Sequence, residues 1–346
     1  MRADFIIVGQ GLAGTLLAEA LIAAGRRVIV VDDGWRSSSS RVAAGLMTPL
    51  TGRRFTLTPG YPELFARASA TLGALGVLRP ARVYRMFVDA EQRERGLSRV
   101  AEASCAPFIE RVTAGPGAAH ETLDDPLGGA LMRGAWTDLP RLLSEARERL
   151  RATGSLVEES FDCDALACQV DGVVWKGLQA GGAVFCDGYK SALAGPFRNL
   201  GWQPAKGEAL TLVSGAPQTP FILNREGWAL PMGGDVWRTG TNWEWGALDE
   251  SPTAEQKDKL LARFRGYFKG PVATEVTTHQ AGVRPCTGDG RPYLGTHPAL
   301  PRLHLFNGLG PRGTVWAPQM AEIMARHLIA QEAIPPEVDL RRAWRA

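Results

Sequence analysis

The sequence predicts an α/β fold that opens with a Rossmann-like dinucleotide-binding unit and contains a second domain. Residues 5–8 and residues 28–31 are short apolar runs, and a glycine-rich turn and a helical pattern lie between them. Runs of this length are typical of parallel strands buried on both faces. The chain has 346 residues, more than a single core usually organises, so we expect two domains.

The turn after the first strand has the glycine spacing of a dinucleotide-binding motif. Residues 9–14 read G-Q-G-L-A-G. The first glycine permits a tight turn, the second lets a diphosphate approach the backbone, and the third lets helix and strand pack closely. Free amides at the helix N-terminus receive the phosphates. The turn therefore predicts cofactor contacts at Gly9, Gly11, Leu12, Ala13 and Gly14.

The helix after this turn is predicted from apolar residues at helical spacing between Leu12 and Ala24, with Gly25 at the position of a C-terminal cap. Asp32 ends the second strand, where a carboxylate can bond a ribose hydroxyl. Asp33 is the alternative acid. A carboxylate at this point disfavours a 2′-phosphate, so we expect NAD or FAD rather than NADP.

The segment after the second strand combines hydroxyl groups, a guanidinium and small side chains. Residues 37–49 read SSSSRVAAGLMTP. This composition suits a loop beside a phosphate and a flat ring, and a flexible serine linker is the alternative. The predicted cofactor contacts in this loop are Ser40, Arg41, Ala44, Gly45, Leu46 and Met47.

Composition and charge argue against several classes of protein. Hydrophobic residues make up 45% and charged residues 22%, as in an ordinary soluble protein. The net charge of +3, without a long run of like charge, predicts no nucleic-acid partner. Five scattered cysteines match neither a disulfide framework nor a metal site, which favours a reducing, cytoplasmic location. We expect no membrane span, and the oligomeric state is not indicated.

Two further glycine-rich segments give the chain a family likeness. Residues 282–295 read GVRPCTGDGRPYLG, and residues 307–314 read NGLGPRGT before a helical stretch over residues 317–329. Together with the A-A-G segment, they resemble the superfamily of glycine oxidase, sarcosine oxidase and D-amino-acid oxidase. The resemblance covers most of the chain except residues 55–135. It implies FAD as the cofactor.

The resemblance also implies an interrupted domain layout. A helical pattern over residues 138–151 and strand-like runs around Leu156, Val173 and Val184 indicate that the first domain resumes there. The second domain is expected to be α+β, discontinuous, and built on a mixed, antiparallel-rich sheet. The predicted FAD-binding domain comprises residues 1–60, 135–203 and 281–346, and the predicted substrate domain comprises residues 61–134 and 204–280.

The chemistry implied by the resemblance is oxidation of the carbon beside an amine, by hydride transfer to flavin. Arg284 aligns with the arginine that binds the substrate carboxylate, a task that suits a two-pronged guanidinium; an arginine joining the domains is the alternative. Arg312 is predicted to face the flavin or to stabilise its reduced ring, with a surface arginine as the alternative. Trp228 stands where glycine oxidase has a tyrosine. These three are the predicted catalytic residues, and further cofactor contacts are predicted at Val157, Gly188, Arg284, Gly308, Gly310, Arg312, Gly313 and Thr314.

Other side chains near these segments have structural interpretations that we favour. Trp228 with Trp237, Trp243 and Trp245 suggests an aromatic box for a bulkier amine, but alternating tryptophans more often form one packed face of a sheet. Cys286 raises covalent flavin attachment, which its distance from the D-G-x-P string argues against. A lone histidine such as His279 is more often structural than a base, and the remaining histidines form no metal-ligand group.

The leading hypothesis is an FAD-dependent oxidoreductase, an oxidase or a dehydrogenase, that acts on a small-molecule amine or amino acid. One alternative is a tRNA-modifying flavoenzyme acting on carboxymethylaminomethyl-uridine, which belongs to the same superfamily; the near-neutral charge counts against it. Another is a flavin-binding protein without turnover. An NAD-dependent dehydrogenase is a further alternative that the C-terminal loops disfavour.

Overall fold

The structure is a computed structural model and describes residues 2–35, 38–113 and 115–344. Ser37 of the serine loop lies outside these ranges. Within them the chain forms twenty strands, eight α-helices and three 3-10 helices. The 3-10 helices are Ala106–Phe108, Gly310–Arg312 and Leu340–Ala343.

The strands in chain order are β1 (Arg2–Val8), β2 (Val28–Val31), β3 (Leu46–Met47), β4 (Leu50–Thr51), β5 (Thr56–Leu57), β6 (Leu78–Met86), β7 (Ile109–Thr113), β8 (Gly129–Thr137), β9 (Leu156–Val157), β10 (Leu166–Gln169), β11 (Gly172–Trp175), β12 (Leu178–Phe185), β13 (Ala205–Ser214), β14 (Ile222–Asn224), β15 (Trp228–Gly233), β16 (Val236–Gly240), β17 (Glu244–Trp245), β18 (Thr274–Arg284), β19 (Tyr293–Thr296) and β20 (Leu303–Asn307). The α-helices are α1 (Leu12–Ala23), α2 (Ser39–Val42), α3 (Tyr61–Ala74), α4 (Ala90–Ala101), α5 (Leu139–Ala152), α6 (Lys190–Leu193), α7 (Ala254–Arg265) and α8 (Gly313–Ala330).

The first sheet confirms the Rossmann-like prediction. Its parallel part runs in the order β9, β2, β1, β12 and β20. Strands β10, β11 and β19 extend it with antiparallel pairs. Alternate residues of β1 enter different cores, because Ile7 packs with α1, α3 and α8 on one face and Ile6 packs on the other. The predicted strands and helices around the glycine turn, and the predicted helices at α5 and α8, are all present.

The second sheet is mixed and mostly antiparallel, as the family likeness implied. Its order is β18, β13, β16, β15, β14, β6 and β8, and only β14 and β6 pair in parallel. Strand β17 pairs with β13 beyond the end of β16, and β3 and β7 share the outer edge of β8. One face buries Tyr84 and Trp237 under α7, and the other buries Val83 and Leu230 beside the β4–β5 hairpin.

The two sheets alternate along the chain. Strands of the first sheet come from residues 2–31, 156–185 and 293–307, and strands of the second come from residues 46–47, 78–137, 205–245 and 274–284. The exact domain boundaries stay a prediction. In the part of the chain that is described, no helix is long and apolar enough to cross a bilayer. The five cysteines are free, and no metal-ligand cluster of His, Cys, Asp or Glu occurs among the described residues.

Candidate active site

A crevice of about 1300 Å³ lies between the two sheets. It begins at the carboxyl ends of β1, β2 and β12, where open parallel sheets bind their ligands. It continues across the inner face of the second sheet as far as β6. One continuous space therefore connects the glycine-rich turn with the expected substrate region.

Most of the predicted site residues line this crevice. They are Gly9, Gly11, Leu12, Ala13, Asp32, Asp33, Ser40, Ala44, Gly45, Leu46, Gly188, Trp228, Arg284, Gly310, Arg312, Gly313 and Thr314. The predicted residues that do not line it are Gly14, Arg41, Met47, Val157 and Gly308. The binding role of every residue in both groups stays a prediction.

The glycine turn packs so closely that side chains are excluded. Gly9 has a φ of +93° and donates its amide to Val31 O at 2.8 Å. A Cβ at Gly9 would lie 2.8 Å from Cys186 O, and a Cβ at Gly14 would lie 1.9 Å from Gly9 O. Gly14 thus acts behind the crevice wall, by letting α1 pack against the turn.

The N-terminus of α1 faces the crevice without a competing anion. Gly11 is the N-cap and has no side chain to cap the helix, and the first turn holds no acidic residue. The amide of Leu12 donates to Ser40 Oγ at 3.0 Å, so the serine loop lies across the helix end. These features fit the diphosphate of a dinucleotide: the turn leaves room for it, the N-terminus of the helix carries partial positive charge, and Ser40 offers a hydroxyl group.

Asp32 anchors a buried network beside this turn. Its Oδ1 accepts hydrogen bonds from Arg147 Nη1 at 2.7 Å and from the amides of Gly34 and Trp35 at 3.0 Å. Its Oδ2 accepts the amide of Gln10 at 2.9 Å. The Asp32 and Arg147 side chains are only 9% and 5% exposed. Asp32 therefore holds the turn and the following loop in place, and its predicted contact with ribose is untested.

A second acidic group lies at the carboxyl end of β12. Burial raises the pKa of the Asp187 carboxyl to about 6. Ser191 donates a short hydrogen bond to it, and Asn307 Nδ2 donates to it at 3.3 Å and to Gly188 O at 2.8 Å. Asn307 thereby ties the end of β20 to the end of β12. Nearby, Lys190 Nζ lies 2.9 Å from Asp33 Oδ2.

Arg284 lies at the end of β18 and lines the crevice from the second sheet. Its Nη2 donates to Thr241 Oγ1 at 2.5 Å, and Nη1 donates to Lys206 O at 3.3 Å. The guanidinium carbon lies 4.5 Å from the centre of the Trp243 ring. Burial lowers the pKa of Arg284. The guanidinium is thus held by neutral groups and keeps its charge for an anion.

Arg312 lies in the last glycine-rich loop. Its Nη2 donates to Gly290 O at 3.1 Å and its Nη1 to Thr58 Oγ1 at 3.4 Å. Burial lowers the pKa of Arg312 as well. Like Arg284, it meets neutral acceptors and lines the crevice, and its predicted contact with the flavin stays a prediction.

The four tryptophans do not gather into one box. Trp237 is fully buried against Phe264 and Phe268, on the face of the sheet away from the crevice. Trp228 and Trp243 line the crevice, and Trp243 stacks on the exposed Trp245 with ring centres 5.6 Å apart. The packed-face interpretation therefore holds for one of the four.

Other sequence candidates do not line the crevice. Cys286 is buried, its Sγ would lie 3.7 Å from a Cβ at Gly310, and burial raises its pKa to about 11. His279 Nε2 lies 2.7 Å from the fully buried Glu208. Arg41 stacks on Trp35 at 5.0 Å, and Met47 is fully buried in the core. None of Cys286, His279, Arg41 and Met47 lines the crevice.

Sequence reasoning missed two arginines that the structure places here. Arg147 reaches Asp32 across 115 residues of sequence. Arg85 lines the crevice from β6, inside the stretch that the family likeness did not cover. No local motif surrounds either residue, and only the fold brings them to the site.

Comparison with known proteins decides the family. Residues 4–327 match the model of the DAO family, described as FAD dependent oxidoreductase. The chain belongs to this family. It is therefore an FAD-dependent oxidoreductase.

Relatives of this DAO family member include two kinds of enzyme. The chain is 25% identical to the glycine oxidase of Pseudomonas putida, over 96% of each protein. It is 27% identical to the tRNA 5-methylaminomethyl-2-thiouridine biosynthesis bifunctional protein MnmC of Azoarcus sp. (strain BH72), over 97% of this chain and 58% of that protein. The chain thus spans a little more than half the length of the MnmC relative.

Solved structures of the DAO family show the same fold. The crystal structure of glycine oxidase from Geobacillus kaustophilus superposes with a TM-score of 0.80 at 22% identity, over 96% of each chain. At this identity the likeness establishes the fold alone. The substrate has to be argued from the crevice.

Proposed function

We propose that this DAO family member oxidises the C–N bond of an amino acid or of a secondary amine that bears a carboxylate. The observation that carries the proposal is Arg284, a partly buried guanidinium that lines the crevice and whose acceptors among the described residues are all neutral. A planar guanidinium binds a carboxylate through two charge-assisted hydrogen bonds. It would fix the substrate by its acid group and present the adjacent carbon for oxidation.

FAD, when bound, supplies the acceptor for the hydride that leaves the substrate carbon. The phosphate end of the cofactor would be held by the glycine turn, the N-terminus of α1 and Ser40. The flavin end would meet the loops that contain Ala44 and Arg312, both of which line the crevice.

Arg284 binds and orients the substrate rather than acting as an acid or base, because a guanidinium keeps its proton in proteins. The described residues that line the crevice include no histidine. The cationic side chain of Arg284 disfavours a protonated amine nearby, so the substrate reacts with a free electron pair on nitrogen. Loss of hydride and of a proton gives an imine, which water hydrolyses to a carbonyl compound and an amine.

An anaerobic screen tests this proposal. The purified protein is mixed with glycine, sarcosine, proline and both enantiomers of the common amino acids, and bleaching of the oxidised flavin is recorded. We expect at least one amino acid to reduce the flavin. Arg284→Gln should lower kcat/KM for that substrate by about 10- to 100-fold, because a charge-assisted pair is lost. Failure of every amine to bleach a fully loaded flavin would refute the proposal.

The second candidate is oxidation of a carboxymethylaminomethyl group on tRNA. The MnmC relative and the exposed Trp243–Trp245 stack beside the crevice favour it, because aromatic side chains commonly stack on unpaired bases. Modified tRNA therefore belongs in the same screen. Reduction of the flavin by tRNA, with an affinity that falls steeply as salt rises, would select this candidate over a free amino acid.

A further inference from the structure

We propose that the crevice contains a second carboxylate site at Arg85, so that the preferred substrate carries two carboxylate groups. This rests on the proposed function, in which Arg284 holds the first carboxylate. Arg85 lies on β6, at the opposite end of the crevice from β18, and lines the same continuous space as Arg284.

Arg85 is a partly buried cation without an anionic partner among the described residues. Its Nη2 donates to Gly52 O at 2.7 Å, and its Nη1 makes a long contact of 3.4 Å with Leu50 O. Its Nε is buried and has no hydrogen-bond partner. Among the described residues no carboxylate forms an ion pair with it. The guanidinium therefore has donors and a full charge left for a ligand.

An aromatic ring and two backbone carbonyls hold the Arg85 side chain in place. Its guanidinium carbon lies 4.5 Å from the centre of the fully buried Phe55 ring. Burial lowers the pKa of Arg85 to about 10. A partly desolvated and preorganised cation gains more from an anion than a fully exposed arginine does, because the attraction is less screened by water.

Sheet register places the two arginines on either side of Trp228. Arg85 pairs with Asn224, Asn224 pairs with Trp228, and Trp228 pairs with Gly240. The next residue, Thr241, accepts the hydrogen bond from Arg284. The Trp228 ring lies over Gly240, because a Cβ there would be 2.7 Å from Cζ2. The indole thus forms the floor between the two cations.

The two sites together select the class of substrate. Arg85 enters the crevice from β6, and Arg284 enters it from β18 and reaches Thr241 beside the end of β16. A small amine with two carboxylates, such as iminodiacetate or glutamate, presents an anion to each arginine. A monocarboxylic substrate such as glycine would leave Arg85 without its anion.

The first test compares substrates in Arg85→Gln. Glutamine keeps a donor for Gly52 O but removes the charge, so a merely structural role of Arg85 is largely preserved. We expect kcat/KM for iminodiacetate or glutamate to fall at least about 30-fold, and that for glycine or sarcosine to change less than about threefold. Arg82→Gln is the matched control, because Arg82 lies on the same strand with its side chain 46% exposed. Equal losses for both substrate classes would overturn the second site.

The second test does not depend on turnover. Glutarate and butyrate are titrated into the holoenzyme, and the change in the flavin absorbance spectrum is recorded. Glutarate should bind at least about tenfold more tightly than butyrate, and Arg85→Gln should abolish that preference. Equal affinities of the two acids in the unchanged protein would refute the dicarboxylate site. A glutarate preference without oxidation of any amine would instead refute the proposed function and leave the second site standing.

Discussion

The guanidinium of Arg284 occupies the space left by the missing side chain of Gly207. A Cβ at Gly207 would lie 1.9 Å from Arg284 Nη2 and 2.4 Å from its Cζ. The two residues lie on the adjacent antiparallel strands β13 and β18. The position of the expected carboxylate ligand is therefore set by a glycine on the neighbouring strand.

Gly207→Ala should move Arg284 without removing it. The added methyl group displaces the flexible end of the arginine rather than the backbone, so the fold and the FAD content should be preserved. We expect KM for the amino-acid substrate to rise about tenfold, because the displaced guanidinium is no longer aligned for two hydrogen bonds to the carboxylate. Steady-state kinetics measure the effect. Gly215→Ala, where an added Cβ meets nothing within 4 Å, should leave KM unchanged; an unchanged KM in Gly207→Ala would contradict the argument.

Gly14→Ala should abolish most FAD loading although Gly14 does not line the crevice. Its Cβ would collide with the backbone carbonyl of Gly9, so the phosphate turn has to shift. Overpacking of this kind lowers the free energy of unfolding by about 1–3 kcal/mol. The flavin-to-protein absorbance ratio of the purified variant measures loading. The control is Gly73→Ala, at an exposed helix position where an added Cβ meets Leu78 at 4.0 Å; this variant should load FAD normally. Full loading in Gly14→Ala would show that FAD binding does not require a glycine at position 14.

Local sequence signals were enough to predict the cofactor half of the molecule. The strands, the glycine turn, α1 and Asp32 all lie within the first 32 residues, so their arrangement follows from neighbours in sequence. The segments around Arg284 and Arg312 were found through their glycine and proline pattern. Arg284 lines the crevice from the last position of β18, and Arg312 lines it from the position directly before α8. The fold fixes where both elements end at the crevice.

The substrate half could not be predicted in the same way. Arg85 enters the crevice because β6 pairs in parallel with β14, which joins residues 83–85 to residues 222–224. Such a register depends on the whole sheet and leaves no local pattern. The contact of Arg147 with Asp32 is equally non-local. In the sequence Arg147 is one of several arginines on α5, and nothing local distinguishes it from the others. Likewise, the tryptophan pattern alone did not separate the buried Trp237 from Trp228 at the crevice.

Arg147→Met should destabilise the protein far more than a typical helix substitution. Arg147 donates to both Asp32 and Gln10 at 2.7 Å, and its guanidinium carbon lies 4.6 Å from the centre of the Trp35 ring. Removal of one partner from a buried ion pair lowers the free energy of unfolding by about 3–5 kcal/mol. The loosened turn should also bind FAD more weakly.

Urea unfolding and FAD titration of Arg147→Met measure both effects. Arg149→Met is the matched control on the same helix, since Arg149 is 49% exposed and its ion pair among the described residues is with Glu19. An exposed pair of this kind contributes about 0–1 kcal/mol. Equal stability of the two variants would show that Asp32 is held by its backbone partners alone.

Asp187→Asn should stabilise the FAD-free protein at neutral pH and have little effect in acid. The folded-state pKa of Asp187 is raised to about 6 by burial, from 3.8. The native state therefore binds the proton more tightly than the unfolded chain, and the stability present below pH 4 is lost as pH rises through 6. Asparagine stays neutral throughout, so the variant avoids this loss, which is at most about 3 kcal/mol for a shift of this size.

The stability gain of Asp187→Asn should thus grow between pH 4 and pH 7.5, as measured by urea unfolding of the FAD-free protein. The control variant Asp171→Asn, at an exposed position, should show no such trend.

Asp187 follows Cys186, whose carbonyl lies against the phosphate turn at Gly9. A bound diphosphate adds negative charge nearby and favours the protonated carboxyl further. The FAD affinity of the unchanged protein should therefore fall more steeply from pH 5 to pH 8 than that of the variant, and parallel pH profiles would show that this carboxyl does not sense the cofactor.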